Sequence, residues 1–138
     1  MSEAPSGFAP FERPGPFIEL LGPLYLPVDR SARHIVAMRA LKKHLNTRGV
    51  VHGGVLAALV DTAFGIVISR SREPHLPSVT VNLSSDFLEP VREGDWVEAH
   101  VEIQRTGKRL VFAQAMLKVE GRNVLRASGV FAIAAPVA

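Results

Sequence analysis

Between Val55 and Val67 the chain places Val55, Leu56, Ala58, Leu59, Val60, Ala63, Phe64 and Val67. At 3.6 residues per turn these side chains point in nearly every direction around a helix. A helix that is apolar nearly all round must be surrounded. Either a sheet curls around it, or a partner covers what the sheet leaves exposed. The helical period begins near His52 and runs to about Ser71. Val50 to Ile68 is long enough to cross a bilayer, but it carries His52, Asp61, Gly53, Gly54 and Gly65 and has no aromatic belt. The expected reading is a helix buried inside a protein, with no membrane partner.

The flanks supply the sheet. The chain has 138 residues, which suits one domain. Residues 1–16, MSEAPSGFAPFERPGP, read as a flexible Pro-rich arm, and residues 17–138 as a single domain. The arm lacks the basic start and apolar core of a signal peptide, so the expected location is the cytoplasm. Phe17–Val28 is apolar but broken by Gly22 and Pro23, which predicts a kinked edge strand. His34–Leu41 is a second short strand candidate, followed by a polar loop over Lys42–Gly49.

From Ser78 the period becomes two. Val79, Val81 and Leu83 alternate with Thr80, Asn82 and Ser84. Apolar faces recur at Val97, Ala99, Val101 and Ile103, then at Val111, Ala113, Ala115, Leu117 and Val119. A last one runs through Leu125, Ala127, Gly129, Phe131 and Ile133. Short Gly-bearing turns at Gly94, Gly107 and Gly121 fit hairpins. The predicted order is β-β-α-β-β-β-β, an α+β chain with one long helix against a mostly antiparallel sheet.

Two features of the helix carry chemistry. His52-Gly53-Gly54 falls at its N-terminus, where the first backbone N–H groups have no internal partners and the dipole is positive. Without side chains in the way, those donors would polarise a carbonyl that becomes an oxyanion. The structural alternative is that the glycines simply permit a tight turn. Asp61 lies about three turns inside the apolar run, where a carboxylate needs partners or a raised pKa. Such carboxylates are often general bases or nucleophiles, though a structural carboxylate that caps a backbone N–H or pairs with an arginine fits equally. Gly53 and Asp61 are eight residues apart, roughly 12 Å along one helix. One carbonyl cannot touch both at about 3 Å. If both serve one site, they come from two chains, and the protein is a homodimer with two symmetric sites.

The pattern N-x-x-G-x-x-H-G-G-x-x-x-x-L-x-D-x-A-x-G is present as Asn46, Gly49, His52, Gly53, Gly54, Leu59, Asp61, Ala63 and Gly65. With SVTVNLSSDFLEP, G-D, T-G-K and A-S-G-V-F after it, the chain resembles the hotdog-fold acyl-CoA thioesterases over roughly Phe17–Ile133. The closest resemblance is to the phenylacetate-pathway (PaaI-type) and 4-hydroxybenzoyl-CoA branch. It implies a hotdog: a curved antiparallel sheet wrapped around one central helix. It also implies hydrolysis of an acyl-CoA, of aryl, phenylacetyl or medium-chain type, to free acid and CoA. Asp61 would attack the thioester or activate water. The Gly53 N–H, with Gly54 adjacent, would polarise its oxygen. Asn46 would hold nucleophile or substrate across a dimer interface. His52 would sit beside the thioester, as proton carrier or as a hydrogen bond that fixes the loop. Thr80 would orient the water or the carboxylate, unless it is an ordinary strand hydroxyl. Arg48, Arg92, Lys108 and Arg109 would meet CoA phosphates or stand as solvated turn charges. A dimer of dimers is expected. A non-catalytic acyl-CoA-binding hotdog protein is the alternative. A hydratase is a third, whose usual Asp and His motif is not seen.

The remaining composition narrows the chemistry. No cysteine is present, so there is no thiolate metal site, disulfide or Cys nucleophile. The five histidines show no H-x-x-x-H spacing, and G-x-S-x-G is missing. No metal and no cofactor are expected, with coenzyme A entering only as part of the substrate. The formal charge of +3 is small and scattered, without the basic stripe and aromatics of a nucleic-acid surface.

Overall fold

The computed structural model describes residues 4–134. Seven strands form one antiparallel sheet: β1 (Phe8–Pro10), β2 (Leu24–Pro27), β3 (Ile35–Arg39), β4 (Ser78–Phe87), β5 (Trp96–Thr106), β6 (Leu110–Val119) and β7 (Arg122–Ile133). Their order across the sheet is β1-β2-β3-β5-β6-β7-β4. Helix α1 spans Gly15–Leu21, and α2 spans Gly53–Arg70. The long helix packs against β3, β4, β5, β6 and β7. This is the hotdog expected from the sequence.

The alternating faces of β5, β6 and β7 lie against α2 as predicted, with Val97, Ala99, Val101, Val111, Ala113, Leu117, Leu125 and Phe131 all buried. On α2 the buried set is Leu56, Leu59, Val60, Ala63, Phe64, Val67 and Ile68. Phe64 and Phe131 meet with ring centroids 5.2 Å apart. Such a pair adds about 1 kcal/mol beyond its burial. Gly129 makes room for it: a Cβ there would lie 2.6 Å from Phe131 Cε1 and 3.2 Å from Phe64 Cε2.

The opposite side of α2 is left open by the described residues. Asp61, Thr62, Gly65, Ile66 and Ser69 are only partly buried and line an open groove. The sheet therefore surrounds about half the helix.

Three expectations change at the N-terminal end and at the sheet edge. Phe17–Val28 is not one kinked strand: helix α1 occupies its first part and β2 its last. Pro16 suits a first helical turn, and Ile18 and Leu21, three apart, are the buried side of that helix. Part of the segment read as an arm is built into the fold, since Phe8–Pro10 pair with Pro27–Tyr25 of β2. Val79 and Val81 do not join Leu83 in the core. Each is 58% exposed, because β4 is the edge strand and is bulged between Thr80 and Asn82.

Candidate active site

The helix head is built by a histidine. His52 is the N-cap of α2, with extended backbone at φ −60° and ψ 134°, and its Nδ1 accepts the Gly54 N–H at 2.8 Å. An accepting Nδ1 carries no proton, so the neutral ring holds its proton on Nε2. The second glycine is required by this fold-back. A Cβ on residue 54 would stand 2.9 Å from His52 Nδ1. The Gly54 donor is thus used within the chain. The Gly53 N–H has no acceptor among the described residues. It is the open donor at the positive end of the helix. It lies in a pocket of about 290 Å³ with Val51, Leu56, Phe87 and Val91.

Asn46 stands at the start of the loop that leads into His52. Its Oδ1 accepts the N–H groups of Arg48 at 2.9 Å and Val50 at 3.3 Å. The side-chain amide therefore shapes the loop, with its Nδ2 without an acceptor among the described residues.

Asp61 is half-buried on the uncovered side of α2, where its Oδ1 accepts the Thr80 hydroxyl at 2.7 Å. The bulge in β4 makes this contact. Leu83 faces Gly129 and Asn82 faces Val130, but Thr80 is opposite the buried Phe131, with Val81 inserted between. In a strand without the bulge, Thr80 and Asn82, two residues apart, would share a face. The bulge turns Thr80 toward the helix, a use of bulges common beside active sites. No other donor among the described residues reaches the carboxylate, which leaves Oδ2 for a ligand or water. The groove around it is about 470 Å³ and is lined by Thr62, Gly65, Ile66, Phe131 and others.

Asp61 and Thr80 are brought together, and so are His52 and Gly54 with Gly53 between them, while Asn46 shapes the loop that leads into them. The two groups are not joined: the groove of Asp61 and the pocket of Gly53 share no lining residue. The basic candidates also divide. Arg48 and Arg92 lie at the Gly53 end, where the Val51 N–H reaches Val91 O at 2.8 Å. Lys108 and Arg109 sit in the turn at the other end of β5. That strand has 11 residues and so spans roughly 36 Å. One chain cannot bring both ends to one phosphate.

His44 was not singled out by sequence, yet it joins the parts that position the helix head. It is 2% exposed, donates from Nε2 to Leu21 O at 2.6 Å, and accepts the Leu41 N–H on Nδ1 at 2.9 Å. Its carbonyl accepts the His52 N–H at 2.8 Å. Burial lowers its pKa. The bond to Leu21 works in the other direction, and neighbouring Lys43 adds to the lowering. Nothing in Lys42-Lys43-His44 marks this role, because the partners are distant carbonyls and amides rather than a side-chain pattern.

Comparison with known proteins gives a consistent set. Residues 48–125 match the Thioesterase superfamily profile. A Pseudomonas aeruginosa protein named as an esterase is 43% identical over 131 residues, covering 95% of this chain and 98% of its own length. Mouse acyl-coenzyme A thioesterase 13 is 29% identical over 119 residues, covering 86% of this chain and 84% of its own. A mutant of the phenylacetic acid degradation protein PaaI from Thermus thermophilus superposes with a TM-score of 0.75 at 28% identity. That match covers 87% of this chain and 100% of the other.

Proposed function

Because this chain belongs to the thioesterase superfamily and is a thioester hydrolase, we propose that it hydrolyses an acyl-CoA at a site shared by two protomers. The observation that carries the reading is the Asp61 carboxylate, held by Thr80 in a groove on the open side of α2. A carboxylate with one oxygen engaged and one free is equipped for either of two routes. As nucleophile, Asp61 attacks the carbonyl carbon, the C–S bond breaks, the CoA thiolate takes a proton, and water cleaves the resulting anhydride. As base, it takes a proton from water while the oxygen attacks, and that proton leaves with the thiol. Both routes sum to acyl-CoA plus water giving acid plus CoA.

The oxyanion of either route needs a donor about 3 Å away. The open Gly53 N–H of the same chain lies one pocket too far. A Gly53 N–H supplied by a second protomer would meet the requirement. The sheet supports such a pairing, since β4 is an edge strand with Val79 and Val81 exposed, a ready template for another copy. Asn46 and His52, close to Gly53 in the chain, would arrive with it from the second protomer.

The test is release of free CoA from phenylacetyl-CoA, benzoyl-CoA and straight-chain acyl-CoAs, read with a thiol reagent. Wild type turns over at least one of them, and Asp61→Ala loses that turnover. Undiminished turnover in Asp61→Ala refutes the site. Binding without turnover in wild type would favour a non-catalytic acyl-CoA binder.

A further inference from the structure

The groove that holds Asp61 continues along α2. Asp61, Gly65 and Ser69 recur every four residues, with Thr62, Ile66 and Arg70 beside them, and all six line the same groove. From Asp61 to Arg70 is nine residues, about 13 Å of helix. Midway along it the lining includes Gly65, Ile66 and Phe131. Gly65 is not needed by the fold: a Cβ there would meet nothing within 4 Å, and its backbone is not left-handed. A glycine in mid-helix costs about 1 kcal/mol relative to alanine. What its missing side chain provides is room in the groove.

The far end is polar and cationic, with Ser69, Arg70 and His75 on the lining. His75 has a carboxylate, Glu73, at 3.2 Å. Arg70 is half-buried, and its side chain has neither hydrogen bond nor ion pair among the described residues. The helix dipole favours a cation in the last turn of α2, but that effect is the same whether the groove is empty or full. A partly desolvated guanidinium on a ligand groove is a fork for an anion.

We propose that Arg70 is a specificity-determining residue that selects substrates with an anionic end on the acyl group. A terminal carboxylate would sit on a chain or ring long enough to reach from Asp61 to the end of α2. This rests on the reading of Asp61 as the reacting group. The same guanidinium chemistry would also suit a CoA phosphate, and the experiment separates the two sources.

The full-length protein and Arg70→Gln are assayed with octanoyl-CoA and with suberoyl-CoA, which matches it in length but ends in a carboxylate. Wild type is expected to favour suberoyl-CoA by at least about tenfold in kcat/KM, as one charge-assisted pair allows. Arg70→Gln is expected to lose that preference on suberoyl-CoA alone, with octanoyl-CoA within about twofold. Equal activity on both by wild type, or no change in the variant, overturns the proposal. An equal loss on both substrates overturns it in favour of a CoA phosphate contact. The same two compounds are titrated calorimetrically into Asp61→Asn, with and without Arg70→Gln. A suberoyl preference that needs Arg70 upholds the proposal without turnover, and its absence overturns it. Full turnover by Asp61→Asn would instead refute the catalytic role of Asp61.

Discussion

Thr80→Val removes one hydroxyl and almost nothing else. Valine matches threonine in shape and suits a strand, and position 80 is exposed on the edge strand β4. The fold should keep its stability to within about 0.5 kcal/mol. What is lost is the 2.7 Å donor to Asp61 Oδ1, the side-chain bond that orients the carboxylate. Hydrogen bonds to charged groups contribute about 1.5–3 kcal/mol. If that orientation is realised in the transition state, kcat falls by about 10- to 150-fold. Thr80→Ser keeps the oxygen and should stay within a fewfold of wild type. The assay is steady-state CoA release for the three proteins, with urea denaturation alongside. Thr80→Val turning over within about twofold of wild type would refute the reasoning, as would Thr80→Ser failing as badly as Thr80→Val.

Gly54→Ala sets two effects against each other: about 1 kcal/mol gained in helix propensity and about 1 kcal/mol lost as the new Cβ, 2.9 Å from Nδ1, evicts the His52 cap. Urea denaturation should show a net change under about 1 kcal/mol, while displacement of His52 lowers kcat by about tenfold or more; unchanged kcat would place His52 away from the chemistry. His44 predicts a pH dependence of stability. Its folded pKa is lowered by burial, so the unfolded chain binds more protons between the two values. Its neutral form then gives full stability above about pH 6.5, and stability falls as the pH drops below that. Denaturation midpoints from pH 8 to 5 should show this slope in wild type and a reduced slope in His44→Gln.

The sheet was legible because alternation is a local property. Val97, Ala99 and Val101, and the alternate residues from Val111 to Val119, are buried as their period requires, with Ile103 partly buried at the strand's far end. α2 was legible for the same reason, by its length and its caps. α1 was not, because seven residues give too few turns to separate a helix from a broken strand, and Gly22-Pro23 dominates the reading. The edge position of β4 was hidden because strand order is non-local, so Val79 and Val81 read as core. The Asp61 and Gly53 pieces were legible as chemical anomalies in an apolar run. Their partners were less so: Thr80 reaches Asp61 only through a bulge, and the Gly54 donor is consumed by its own neighbour His52.

The central claim is that one site takes Asp61 from one protomer and the Gly53 N–H from another. Gly53→Pro deletes that N–H at a first helical position that accepts proline, and His52, at φ −60° and ψ 134°, already has the backbone a following proline requires. Asp61→Asn disables the carboxylate. Each variant alone should be nearly inactive. Unfolded and refolded together at equal amounts, they form mixed dimers in which one site carries both defects and the other carries none. Roughly a quarter of wild-type activity should return, from half the dimers with one working site each. No recovery, with mixed dimers shown to be present by differential tagging, would contradict the shared site.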